Sequence, residues 1–132
     1  IGMLSNLIRR HFSTFSFHDT LSPAQGKTLH FILARGQECD VFQKDIEEEY
    51  SLRPPTATKL LKDMEKNGLI YREAVPYDAR LKRIVATEKA MQYQELIHQS
   101  LEETEDRLTS GISPQDLAVF FRVINQMIRN MS

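Results

Sequence analysis

The sequence predicts a mainly α chain with a small β component, an α+β order of helix, helix, strand, helix, helix, hairpin, helix, helix. Three observations predict it. Apolar residues recur at three- and four-residue spacing at both ends of the chain, the stripe of an amphipathic helix. Proline stands at expected helix starts (Pro23, Pro54, Pro114) and glycine at expected helix ends (Gly36, Gly68, Gly111). Only after Gly68 does the period change from helical to strand-like. At 132 residues, 41% hydrophobic and 27% charged, the chain suits one domain over 1–132, and disorder or a disulfide scaffold does not fit. Cys39 is the single cysteine, so no internal disulfide and no cysteine zinc cluster is available, and a reducing compartment fits best. No apolar run approaches the roughly 20 residues of a membrane span, so a cytoplasmic protein without a membrane partner is expected. The chain opens at Ile1 inside an apolar pattern, and a few residues are expected to precede it.

From Ile1 to His18, Leu4, Leu7, Ile8, Phe12 and Phe15 form the apolar stripe of a first, amphipathic helix. Ser22 is placed to cap a second, with Pro23 at its first position, Gln25 completing a capping box, and Leu29, Ile32 and Leu33 inward. Gly36 ends it, and Cys39 to Phe42 reads as one short strand. Gln43 to Tyr50 is a short acidic helix, Ser51-Leu52-Arg53 a tight connection, and Pro54-Pro55 the opening of a helix to Asn67. Leu60, Leu61 and Met64 are its expected inward residues, and Gly68 its left-handed cap. Two short helices joined by a turn of three or four residues outline a helix-turn-helix. Strands over Leu69–Ala74 and Lys82–Ala86 enclose a turn-rich tip, Val75 to Arg80, and a hairpin in that place is a wing. Thr87 caps one long helix to about Ser110. After Gly111, Ser113-Pro114-Gln115-Asp116 starts a last helix bearing Leu117, Phe120, Phe121, Ile124, Met127, Ile128 and Met131 on one side.

The net charge of −1 conceals a gradient. From Arg53 to Lys89 nine Lys/Arg face five Asp/Glu, a net +4, and the remainder carries −5. That is the footprint of a nucleic-acid partner drawn to the middle of the chain. Catalytic constellations are missing from the sequence: His11, His18, His30 and His98 form no ligand motif, and the glycines form no phosphate loop. His11 and His18 share a helical face, but satisfied or exposed histidines explain them better than a metal does. No cofactor and no enzymatic role are expected.

The helix after Pro54-Pro55 presents short hydroxyls beside long cations. Thr56 and Thr58 suit base edges or phosphates, Lys59 and Lys62 suit guanine or phosphate, and Arg53 and Pro55 flank them. In the hairpin, Arg80 at the tip suits a narrow minor groove, with Asp78 to orient its guanidinium and Lys82 and Arg83 close behind. A capped helix with a solvated face and a local turn pair are the plain alternatives.

From Ser22 to about Ser110 the chain resembles the MarR family of bacterial winged-helix transcription factors. The resemblance lies in the stretch Pro55-Thr56-Ala57-Thr58-Lys59-Leu60-Leu61-Lys62-Asp63-Met64-Glu65-Lys66-Asn67-Gly68-Leu69-Ile70-Tyr71-Arg72, and in the wing Asp78-Ala79-Arg80 running on to Thr87-Glu88-Lys89-Ala90. Ala86 and Ala90 stand where the family's wing pattern has leucine and glycine. The resemblance implies a winged helix-turn-helix with a lobe at about 39–88, and N- and C-terminal helices (about 1–18 and 88–132) forming a dimerisation region. It also implies a homodimer on a palindromic operator in double-stranded DNA, with recognition helices in major grooves and wings in minor grooves. A small aromatic or anionic effector is implied too, for which His11, Phe12, Phe15 and His30 are the expected lining; core packing is the plainer role for both phenylalanines. Cys39 is expected to be a buried small hydrophobe. The reading is a dimeric, effector-responsive repressor. Its rivals are a winged-helix protein-interaction module without DNA binding and a small-molecule enzyme.

Overall fold

The computed structural model describes residues 1–13 and 21–132. Its elements are α1 (Gly2–Ser13), α2 (Pro23–Gly36), α3 (Gln43–Tyr50), α4 (Pro54–Lys66), β1 (Ile70–Val75), β2 (Asp78–Ala86), α5 (Glu88–Met91), α6 (Gln94–Thr109) and α7 (Pro114–Met131). They fall into two compact units, Ile1–Ser100 and Leu101–Ser132.

The first unit holds the core. Leu29 and Ile32 of α2, Ile46 of α3, Ala57, Leu61 and Met64 of α4, and Leu69, Ile70 and Ile84 around the hairpin are all buried. The inward face of α4 therefore runs through Ala57, not Leu60, which is only half-buried. Leu33 is likewise half-buried and lines surface clefts. Ser22 Oγ accepts from the Gln25 N–H at 3.2 Å, as a cap should. The other half of the expected capping box is redirected: Gln25 is buried, and its Oε1 accepts from Asn67 Nδ2 at 3.2 Å, tying α2 to the end of α4. At the far end of α3, Tyr50 donates its hydroxyl to the Lys27 carbonyl at 3.0 Å, and burial pushes that phenol up to about 12.

Local chemistry sets the helix-turn-helix. Asp45 accepts from the Phe42 N–H at 2.9 Å to start α3. Ser51 closes α3 in the left-handed region at φ 51°, and the Leu52 N–H reaches back to Glu47 O at 2.9 Å. Pro54 and Pro55 occupy the first turn of α4, where their missing N–H groups leave no bond broken. Gly68 ends the run at φ +73°, with Leu69 N–H on Met64 O at 3.0 Å. A Cβ there would meet only the Lys89 side chain at 3.7 Å, so the backbone angle, not space, calls for glycine.

Three expectations are corrected. Cys39–Phe42 is not a strand: among the described residues the sheet has two strands only, and the segment makes one ladder-like bond, Ile84 N–H to Val41 O at 2.7 Å. Cys39 is exposed, not buried, because it follows the end of α2 on the outside of that turn. The helix after Thr87 is interrupted. Gln92 and Tyr93 donate to the carbonyls of Lys89 and Ala90 three residues back, and these tighter bonds separate α5 from α6.

The hairpin is also longer than expected. Only Pro76 and Tyr77 lie between the antiparallel strands, and Asp78 pairs with Val75 while Lys82 pairs with Ala74. Ala79, Arg80 and Leu81 thus have no partner across the ladder, a bulge that lets extended backbone carry Arg80 outward.

In the second unit, α7 starts as predicted, with Ser113 Oγ accepting from the Asp116 N–H at 3.1 Å. No residue of α7 is buried. Leu117 and Ile124 are half-covered, and Phe120, Phe121, Met127 and Ile128 are exposed. On α1, Leu4 and Leu7 are exposed as well. Phe15 and His18 lie outside the described residues.

Candidate nucleic-acid interface

With Ala57, Leu61 and Met64 inward, the helical period turns Pro55, Lys59, Lys62 and Lys66 to the opposite side of α4. Arg53, Pro55, Thr56, Lys59 and Lys62 are exposed, and Thr58 is half-buried on the flank facing α3. Lys59 lies 3.3 Å from Asp63, but both side chains stand well in solvent, so this pair holds the lysine only weakly. Thr58 borders an open groove with Pro54, Pro55, Lys59 and Lys62.

The wing gives the sharpest geometry. Asp78 Oδ1 accepts from the Arg80 backbone N–H at 2.9 Å and from Nε at 3.2 Å, while Oδ2 accepts from the second guanidinium nitrogen at 3.1 Å. The Arg80 side chain is nonetheless 89% exposed, held by a carboxylate that is only 26% exposed. The Arg80 guanidinium, then its backbone N–H, hold the Asp78 carboxyl below its usual range, so the fork is charged on both sides at neutral pH. This is the orienting pair expected from the sequence.

Lys82 is exposed behind it, but Arg83 belongs to another arrangement. Its guanidinium meets Glu73, the residue across the ladder, at 2.6 Å and Asp40 at 3.3 Å. Tyr77 donates its hydroxyl to the same Asp40 at 2.9 Å. Arg83 thus braces the base of the wing against the segment between α2 and α3, and its cation is already partnered. Glu73 first, then Asp40, raise its already high pKa.

Of the residues expected to line an effector cleft, Phe15 lies outside the described ones, and the other three make two separate ring contacts. His11 and Phe12 meet edge to face at 6.1 Å. His30 stacks parallel to His98, centroids 6.2 Å apart, beside a cleft of about 390 Å³ shared with Leu33, Met91 and Gln94. Burial, then the charge of His98, lowers the His30 pKa below the ordinary 6.5. An unfolded chain then takes up this proton before the folded one, so stability falls as pH drops below 6.5 and levels off beneath the folded value. His30→Gln is expected to remove that component of the pH dependence, read as the melting temperature between about pH 7.5 and pH 5. An unchanged profile would contradict the assignment. Among the described residues no group of three or more His, Cys, Asp or Glu side chains could hold a metal ion.

Gln43, Asp40 and Tyr77 carry no functional signal in the sequence, and Glu65 and Arg72 stand in it only as part of the family-like stretch and the basic centre. Only Glu73 opposite Arg83 is within reach of sequence reasoning, through the register of the hairpin.

An exposed, cation-bearing helix of a helix-turn-helix followed by an arginine-tipped hairpin defines a winged helix-turn-helix protein. Residues 19–81 match the model of the MarR family. The chain is similar along its length to the transcription regulator MarR from Oenococcus oeni PSU-1, at 27% identity and TM-score 0.86, covering 97% of this chain and 95% of that one. It is also similar to S. aureus MepR in its complex with DNA, at 25% identity and TM-score 0.86, covering 98% and 93%. The heme sensor protein PefR, solved with heme and carbon monoxide, matches at 25% identity and TM-score 0.62, covering 98% and 88%. The chain is thus similar to the MarR family over residues 19–81, and in fold to MarR and MepR along nearly its whole length.

Proposed function

We infer that this chain is a sequence-specific DNA-binding transcriptional regulator, acting as a cytoplasmic, dimeric repressor and not as an enzyme. One observation carries the reading: Asp78 holds Arg80 in a fork while leaving it open to solvent, on the same lobe as the outward cations of α4. A bare surface arginine contributes little order, but an oriented one is prepared for a groove lined by phosphates. The likeness to MepR in its DNA complex supports the same partner.

In this reading Thr56, Thr58 and Lys59 face base edges, Lys62 and Arg53 approach phosphates, and Pro55 sets the start of the helix. Arg80 enters the minor groove, oriented by Asp78, with Lys82 adding charge and Arg83 keeping the wing upright. The lobe of about 39–88 binds DNA. The exposed apolar stripes of α1 and α7 pair with a second copy, which places two lobes on a palindromic operator. A small aromatic or anionic effector belongs to the reading, with His11, Phe12, Phe15 and His30 as its candidates; the ligand-bound relative PefR lends that role support.

Salt titration of binding tests the site. Arg80→Ala is expected to weaken binding to an operator selected from random duplexes and to a scrambled duplex alike, and to shallow the log–log salt slope by about one. Unchanged affinity and slope on both duplexes would move the protein-interaction module ahead.

A further inference from the structure

Gln43 opens α3 with its carboxamide turned toward α4. Nε2 lies 2.9 Å from Thr58 Oγ1, 3.1 Å from Glu47 Oε2 and 3.4 Å from the Pro54 carbonyl oxygen. Oε1 lies 3.4 Å from a guanidinium nitrogen of Arg72, which Glu65 holds in turn at 2.8 Å. These neighbours decide which end of the carboxamide is nitrogen. The Glu47 carboxylate and the Pro54 carbonyl only accept, and Arg72 only donates. A flipped carboxamide would set its oxygen against two acceptors and its amide against a cation. Gln43 therefore donates to Thr58, and Thr58 receives that bond on an oxygen lone pair.

The hydroxyl proton of Thr58 is left over. A helical threonine commonly spends it on the carbonyl four residues back, as Thr28 does on Ala24 at 2.8 Å. For Thr58 that carbonyl is Pro54's, already approached by the Gln43 amide, and Thr58 donates to no acceptor among the described residues. The same side chain borders the open groove of α4.

We propose that Gln43 is a positioning residue for sequence reading: by occupying a Thr58 lone pair it makes Thr58 a hydrogen-bond donor toward DNA. The recognition helix then favours a base with an acceptor at that spot. In the major groove the acceptors are purine N7, guanine O6 and thymine O4, whereas the amino groups of cytosine and adenine donate. The inference rests on the DNA-binding reading above, which would stand without it.

The test uses the full chain and duplexes selected by the wild type, measured at about pH 8. The base pair read by Thr58 is the one whose preference disappears in Thr58→Val and survives in Thr58→Ser. At that pair the wild type is expected to favour acceptor edges by roughly three- to tenfold, the scale of one hydrogen bond. Gln43→Glu places an acceptor-only group against Thr58, turns the proton inward, and should move the preference to an amino-bearing edge. Any uniform loss from the added negative charge is not the readout. In a Thr58→Val background Gln43→Glu should leave the preference at that pair unchanged. Gln43→Met, which keeps the length but neither donates nor accepts, should flatten the preference while melting temperature reports that the fold persists. A wild-type preference retained in both Gln43 variants overturns the proposal, as does a switch that persists in the Thr58→Val background. If the wild type enriches no sequence at all, the DNA-binding reading itself fails.

Discussion

Phe120→Glu combined with Ile128→Glu is expected to give a monomer that no longer holds its operator. Both side chains are largely exposed on α7, at 47% and 57%, although both are strongly apolar. In a homodimer each substitution acts twice. Full burial of a wholly exposed side chain of this kind contributes about 1.5–3 kcal/mol, and about half of each is still exposed, so four of them represent on the order of 3–6 kcal/mol of association free energy. A carboxylate in the same place adds a desolvation penalty, which makes the replacement worse than a mere loss of contact. DNA affinity should fall with the dimer, because the second lobe then no longer binds at the high effective concentration of a tethered partner. Light scattering after size exclusion reads the mass, and a titration of the palindromic operator against a single half-site reads the coupling. A double variant that remains dimeric would remove α7 from the interface, and a monomeric wild type would remove the dimer itself.

The second large effect separates fold from function at adjacent positions. Leu61 is fully buried in α4, and Lys62 beside it is exposed. Leu61→Ala should cost about 2–5 kcal/mol through lost transfer free energy and the cavity left behind. Against a typical total of about 5–15 kcal/mol, that lowers the denaturation midpoint steeply and removes binding on every duplex together. Lys62→Ala should leave stability within about 0.5 kcal/mol and weaken DNA binding in a salt-dependent way. Chemical denaturation followed by binding at low and high salt distinguishes the two. Equal stability of the two variants would show that α4 is not seated as the structure has it.

Much of the local structure is legible in the order of the amino acids. Ser22, Thr87 and Ser113 each accept from the backbone where a cap is predicted, and Gly68 takes the positive φ expected of it. The fork between Asp78 and Arg80 is legible too, because its partners are two residues apart and the contact is local. Arg83 shows where that legibility stops. In sequence it is one more cation after Arg80 and Lys82, yet in the fold it faces Glu73 across the ladder and Asp40, 43 residues away. Gln43 shows the same limit in reverse: an uncharged residue at a helix start acquires importance only because Thr58, Glu47 and Arg72 converge on it. The stripe on α7 is legible as apolar, but its exposure is not, since spacing says which residues share a side and nothing of what covers it.

By itself, then, the sequence determined the order of the main elements, most of the inward residues of α2 and α4, the basic centre of the chain, and the local fork that carries Arg80. These depend on period, capping and neighbours within a helical turn. The tertiary structure decided which cations are open to a partner and which are held, that the helix after Thr87 breaks at Gln92 and Tyr93, that Cys39 is exposed, and which way the Gln43 carboxamide points. The reason is physical: a hydrogen bond or an ion pair needs its two groups within about 3–4 Å, and for residues distant in sequence only the folded chain sets that separation.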